Sequence, residues 1–166
     1  MSLFVAKLDR YDMVNNPQCD SACFNIWFAG CTFHCEDCQN PQLWDKKSGG
    51  EWNVADLYNI VLFNCQKFNY NTVVLLGGEP LQQNKEELLS LCQLLSEKHI
   101  DIWVYTGYEL EQVDKELLKY IHTIKCGRYI KELRQDGFPA SSNQKVYRSI
   151  AGDLKDITSK FKEEYY

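Results

Sequence analysis

Cys31, Cys35 and Cys38 lie in the run Gly30-Cys-Thr-Phe-His-Cys-Glu-Asp-Cys-Gln-Asn-Pro41, directly after the apolar stretch Phe24-Asn-Ile-Trp-Phe-Ala29. Three thiolates on one short loop can bind metal. Zinc in a closed structural site wants four tetrahedral ligands, and an iron–sulfur cluster that only carries electrons takes four cysteines. Three thiolates on a four-iron cluster leave one iron free to bind something else. Two plainer readings compete with this one. His34 would complete a zinc set, but it adjoins Cys35, and sequence neighbours rarely point at one metal; zinc layouts usually pair one C-x2-C with a second, and the chain has none. Disulfides are a weaker reading. The chain has an even number of cysteines, 8, but its opening residues show no apolar secretion segment, and cytosolic thiols stay reduced.

A second group is Gly77-Gly78-Glu79-Pro80, which follows the apolar Asn71-Thr-Val-Val-Leu-Leu76. Glycines let the backbone approach a ligand closely. The proline favours an extended Glu79, whose carboxylate is a candidate acceptor for a ligand ammonium. Taken alone, the segment also reads as an ordinary strand-to-helix turn.

The elements that must position these groups alternate. Phe24 to Ala29 reads as a buried strand feeding the cysteine loop. Val54 to Phe68 reads as a helix with Leu57, Ile60, Val61, Cys65 and Phe68 on one face. Asn71 to Leu76 reads as an inner parallel strand. Lys85 to His99 is a helix with Leu88, Leu91, Cys92 and Leu95 inward, and Glu86 and Glu87 suit its N-terminal dipole. Asp101 to Tyr105 is a strand closed by Thr106-Gly107. Glu109 to Tyr120 is expected to be helical, Ile121 to Lys125 a strand, and Asp153 to Phe161 a last helix. Such repetition predicts an α/β fold with a parallel sheet and right-handed crossovers. A closed eight-unit barrel needs more than about 200 residues; with 166 residues the expectation is one domain over residues 1–166, an open partial barrel of about six βα units, (βα)6-like. Functional groups in such folds sit at the C-terminal strand ends, where both motifs fall.

The bulk properties narrow the function classes. The net charge is −5 and no Lys/Arg cluster stands out, so a nucleic-acid partner is not expected. The apolar runs are too short for a membrane-spanning helix. Cys65 and Cys92 lie on apolar helix faces and read as core. Trp27 and Trp103, in strands, read as core packing; Trp44, just past the cysteine loop, reads as a shield over it. His99 and His122 are isolated and carry no assigned role.

The C-x3-C-x2-C spacing with the Gly-Gly-Glu-Pro segment resembles the radical S-adenosylmethionine (SAM) superfamily. Cys38-Gln-Asn-Pro41 with Trp44 is similar to the activating proteins of glycyl radical enzymes. Asp101-Ile-Trp-Val-Tyr-Thr-Gly-Tyr108, Cys126-Gly-Arg-Tyr129 and Ser141-Ser-Asn-Gln144, with the N-terminal Met13-Val-Asn-Asn-Pro17, resemble the activating proteins of anaerobic ribonucleotide reductase. The matches span about residues 13 to 148. The resemblance implies a [4Fe-4S] cluster on Cys31, Cys35 and Cys38, with SAM on the open iron. It implies SAM contacts from Asp37, Cys38, Gln39, Gly77, Gly78 and Glu79, mostly through backbone, with Thr106 and Gly107 as further candidates. Ser142, Asn143 and Gln144 are candidates for the partner glycine; alone they read as a polar surface loop. The implied activity is reductive cleavage of SAM to a 5′-deoxyadenosyl radical, which takes a hydrogen from a glycine Cα of the large subunit of anaerobic ribonucleotide reductase. The electron would come from an external donor such as a flavodoxin or ferredoxin. An oxygen-sensitive cluster implies anaerobic cytoplasm.

The sequence departs from the family pattern in three places. Asp37 stands where an aromatic residue often precedes the third cysteine. Residues 15–20 lack the two glycines and the arginine of the usual N-terminal segment and bring in Cys19; Cys19 and the nearby Cys23 read as thiols without chemistry. Cys126 replaces an aspartate before Gly127. Three alternatives stay open: an activase of another glycyl radical enzyme, a small-molecule radical SAM enzyme of the deazaguanine-forming kind, and a non-enzymatic metal or electron-transfer protein.

Overall fold

The computed structural model describes residues 2–11 and 22–163. The N-terminal segment at 13–17, the altered stretch with Cys19 and the final three residues lie outside them. The elements in chain order are β1 (Leu3–Tyr11), β2 (Cys23–Phe28), β3 (Gly50–Trp52), α1 (Val54–Phe68), β4 (Thr72–Gly77), α2 (Lys85–Glu97), β5 (Asp101–Tyr105), α3 (Lys115–Leu118), β6 (Thr123–Cys126), β7 (Lys145–Ile150), β8 (Asp153–Asp156) and α4 (Lys160–Glu163). They build one sheet in the order β3-β1-β2-β4-β5-β6-β7-β8. The central strands β2, β4, β5 and β6 are mutually parallel. Antiparallel strands extend the sheet at both ends. The open α/β architecture with a parallel centre is thus the expected one. Its parallel part is four strands rather than six units, because hairpin partners supply the remaining strands.

Two alternating sets of side chains emerge from the parallel strands. Ile26, Phe28, Val73, Leu75, Ile102, Val104 and Ile124 face the helices, where Leu57, Val61 and Cys65 of α1 and Leu88, Leu91, Cys92 and Leu95 of α2 meet them in the main core. The other set, Asn25, Trp27, Val74, Leu76, Tyr105 and Lys125, lines an open cleft. Trp103, also on this face, packs with Phe138 and Phe161 in a second, smaller cluster. Leu91 is fully buried between sheet and helices. Leu91→Ala should therefore lower the unfolding free energy by about 2–5 kcal/mol, read by urea denaturation.

Each long helix starts and stops as its sequence dictates. Asn53 caps α1 by accepting from Asp56 N at 2.8 Å, and Asn69 ends it in the left-handed conformation. Asn84 caps α2 by accepting from Glu87 N at 3.0 Å. On α1 the buried stripe is Leu57, Val61 and Cys65. Ile60 and Phe68 are exposed instead, Ile60 because it lies off the i, i+4 row, Phe68 because it sits in the last turn, stacked on Tyr70 under the Arg10 guanidinium.

Two helix expectations are corrected. Residues 109–120 form a 3-10 turn at Leu110–Gln112 and then the short α3, because Asp114 starts a new helix by accepting from Glu116 N at 2.7 Å. Asp153 to Phe161 is not one helix: β8 pairs back on β7 through a tight turn in which Ala151 and Gly152 both have positive φ, the geometry of a two-residue hairpin. The antiparallel strands β1, β3 and β7, which flank the parallel centre, were not expected from the sequence.

Candidate active site

The cysteine loop leaves β2 and is closed into a lariat by backbone bonds from Gly30 N to Leu43 O (2.7 Å) and Cys31 N to Trp44 O (3.1 Å). Thr32 bonds twice with Gln82, its N–H donating to Oε1 and its hydroxyl accepting from Nε2. The far side of the loop is held by Lys131, which pairs with Glu36 and Asp37 at 3.2 Å each, and by Arg128, stacked 4.2 Å over Phe33. His34 and Asp37 adopt left-handed backbone, turning the loop back on itself.

Cys31, Cys35 and Cys38 all line one cleft of about 460 Å³ at the C-terminal ends of the parallel strands, together with Gln39, Gly77, Gly78, Glu79, Thr106, Gly107 and Gln144. Burial raises the Cys31 thiol above its ordinary value, with the nearby Glu79 charge adding to it. Burial and then the neighbouring Cys38 raise Cys35, while Arg128 opposes them. All seven described cysteines are free. Among the described residues no three His, Cys, Asp or Glu side chains converge on one point, as a single tetrahedral ion requires. His34 is exposed and stacks on Trp44 at 4.3 Å. Three thiols of one loop lining one cleft offer the soft donors that an iron–sulfur group takes. Cys126 adds no fourth ligand, since it packs in the main core; burial pushes its thiol up to about 12. Cys23 is likewise buried, against Asn25.

The Gly77-Gly78-Glu79 segment crosses directly beneath this loop. Gly78 N donates to Phe28 O (2.7 Å) and Glu79 N to Gly30 O (2.8 Å). Among the described residues no hydrogen bond ends on the Gly78 carbonyl oxygen, which leaves it able to receive a ligand donor. A Cβ on Gly78 would stand 2.6 Å from Gly30 O and 3.0 Å from Leu43 O, both backbone atoms. Gly78→Ala should therefore push the two loops apart and cost about 1–3 kcal/mol; a lowered urea midpoint with weakened iron loading is the expected result.

Glu79 ties the site together from within. It is 2% exposed, and both its oxygens are taken by protein donors. Oε1 accepts from Thr106 Oγ1 (2.7 Å) and Leu81 N (3.0 Å), and Oε2 from Gly107 N (2.8 Å). Its carboxylate is a knot between two strand-end loops. Burial raises its pKa, and these bonds together with Lys125 oppose the rise. Thr106 also accepts from Tyr108 N, so Thr106 and Gly107 brace the site through Glu79. Gly107 lies close under the Phe33 ring: a Cβ there would stand 2.6 Å from it, so the ring would have to shift.

Other candidates divide. Asp37 is exposed, pairs with Lys131 and borders a neighbouring pocket rather than the cleft. Gln39 borders both. Gln144 is buried and donates to Gly127 O (2.9 Å), and Asn143 donates to Arg128 O (2.8 Å); the two prop the loop after β6. Ser142 is exposed and does not line the cleft. Trp44 lines it, and so does Trp27, which is half-buried on the cleft face instead of packed in the core as expected, its indole N–H donating to Asp9 (2.9 Å). Sequence reasoning missed Lys125, Tyr105 and Phe138 on the cleft wall. A lysine inside the apolar Thr123-Ile-Lys-Cys126 was the available signal. Burial lowers Lys125 to about 8, with Glu79 opposing.

Comparison with known proteins agrees with this geometry. A family model described as a 4Fe-4S single cluster domain matches residues 21–147. The anaerobic ribonucleoside-triphosphate reductase-activating protein of Haemophilus influenzae is 31% identical over 132 residues, covering 74% of this chain and 85% of its own. That of Escherichia coli K12 is 29% identical over 145 residues, covering 82% and 92%. The fold is similar to that of QueE from Escherichia coli, with a TM-score of 0.52 and 16% identity over 75% of this chain and 70% of the other. Three cluster-loop cysteines beside a glycine-rich strand end, with these matches over most of the chain, place the protein in the family of anaerobic ribonucleoside-triphosphate reductase-activating proteins, built on a 4Fe-4S single cluster domain.

Proposed function

We propose that this protein is a radical SAM activase that installs a glycyl radical on an anaerobic ribonucleotide reductase. The observation that carries the reading is the meeting of Cys31, Cys35, Cys38, Gly77 and Gly78 in one cleft at the ends of parallel strands. The cofactors of such an enzyme are a [4Fe-4S] cluster and SAM. When bound and reduced they supply the 5′-deoxyadenosyl radical that removes a hydrogen atom from a Cα; that chemistry belongs to the cofactors. The protein's own residues hold, orient and shield. Cys31, Cys35 and Cys38 would hold the cluster with three soft sulfur donors and leave it a place to bind SAM. The carbonyl oxygen of Gly78 would accept from the methionine ammonium. Glu79 fixes that loop against Thr106 and Gly107. Trp27, Leu76 and Tyr105 give the cleft a largely apolar floor, which keeps water from a reactive intermediate. Asn143 and Gln144 hold the rim where the partner's glycine segment enters. The electron comes from an external carrier, a flavodoxin or ferredoxin.

The experiment is anaerobic. The protein is reconstituted with iron and sulfide, reduced with dithionite and given SAM, and 5′-deoxyadenosine is assayed; adding the reductase should produce a doublet glycyl radical signal. A cluster that never cleaves SAM, with or without the reductase, would leave an electron-transfer protein. Tightly held zinc with no cluster would overturn the metal assignment itself.

A further inference from the structure

Lys125 belongs to a layer of cross-strand neighbours on the cleft floor. Trp27 pairs with Leu76, and Tyr105 pairs with Lys125. The other three side chains of this layer are aromatic or aliphatic, and Lys125 is the only cationic side chain among the described residues lining the cleft. Its Nζ lies 4.7 Å from the Tyr105 ring centre and 5.5 Å from that of Phe138. Glu79, the carboxylate whose field it feels, is engaged by Thr106, Gly107 and Leu81. Among the described residues the ammonium has no ion pair and no hydrogen-bond acceptor. An ammonium taken partly out of water without an acceptor is costly, and a bound ligand can supply one. SAM carries two cationic groups and a single anionic one, its carboxylate. Charge complementarity across a cleft with one wall cation matches that carboxylate to Lys125.

We propose that the Lys125 ammonium pairs with the carboxylate of SAM bound in the cleft. This rests on the SAM-binding reading above. Lys125 thereby fixes the amino-acid end of the ligand and selects for SAM over analogues that lack the carboxylate. It takes no part in bond breaking.

The test is equilibrium binding to the cluster-loaded protein, with SAM and with decarboxylated SAM as the two probes, in wild type, Lys125→Met and Lys125→Arg. Lys125→Met should weaken SAM at least about tenfold, in the range of a lost charge-assisted contact, and leave decarboxylated SAM unchanged. Lys125→Arg should recover most of the SAM affinity. Cluster absorbance and thermal midpoint serve as folding controls. Equal weakening of both probes, or no effect on either, would overturn the pairing. Failure of the wild type to bind SAM at all would instead overturn the functional reading on which it rests.

Discussion

Cys35→Ala should reduce 5′-deoxyadenosine formation to background while leaving the fold intact. Cys35 sits midway between Cys31 and Cys38 on the loop and is only partly buried. Its loss leaves two thiolates, too few to hold a four-iron cluster with one open iron. It removes little packing, so the unfolding free energy of the cluster-free protein should move by no more than about 0.5 kcal/mol. The natural control is Cys65→Ala. That thiol is 3% exposed in the main core, and burial pushes it up to about 11. Its variant should load iron normally and lose stability instead. Iron content, the absorbance of the reduced cluster and urea unfolding separate the two. A Cys35→Ala protein that still cleaves SAM would remove this residue from the ligand set.

Glu79→Gln should damage both stability and SAM turnover, although it changes one atom. The replacement amide keeps one oxygen for Thr106 and Leu81 but turns an NH2 toward Gly107 N–H, which now donates to Oε2. Two donors face each other where a donor met an acceptor, and the buried mismatch costs about 1–3 kcal/mol. The loops at 77–79 and 106–107 lose their shared anchor, so the Michaelis constant for SAM should rise with the loss of stability. pH adds a signature. The folded-state pKa of Glu79 is raised above its ordinary value of 4.5. Between 4.5 and that raised value the folded protein holds a proton that the unfolded chain has released. The slope of stability with pH is negative wherever the folded state binds more protons. Wild type therefore loses this part of its stability as pH rises across the window, and the variant does not. The stability gap between them should narrow from about pH 4.5 upward in paired urea titrations. A gap that widened would mean that the carboxylate stays ionised throughout.

The sequence carried the parallel centre of the fold and the cleft's main loops because those parts are encoded locally. The apolar β-branched run of β4, the i, i+4 stripe of α2 and the Asn caps each fix their element without help from distant residues. The C-x3-C-x2-C spacing and the double glycine carry their chemistry in their own order. What the sequence hid depends on distant partners. β1 is a strand because it pairs with both β2 and β3, and its mixed polarity does not announce that. The Ala151-Gly152 turn does not announce a hairpin until β7 and β8 close on it. Glu79 reads as a ligand contact on its motif alone; only the fold brings Thr106 and Gly107 under its oxygens. Lys125 was passed over for the same reason, since its side of the strand becomes a cleft wall only once β6 lies beside β5.

The lariat bonds from Gly30 and Cys31 to Leu43 and Trp44 carry a consequence for the life of the protein in the presence of oxidants. All three proposed iron ligands hang from one tethered loop, and none is shared with the sheet or the helices. Losing the iron should loosen that loop and leave the scaffold standing. Amide hydrogen exchange before and after stripping the metal should change within residues 31–44 and stay constant in β4, β5 and α2. Oxidative damage then becomes a repairable injury: the same polypeptide can be refilled by iron and sulfide without being unfolded or replaced.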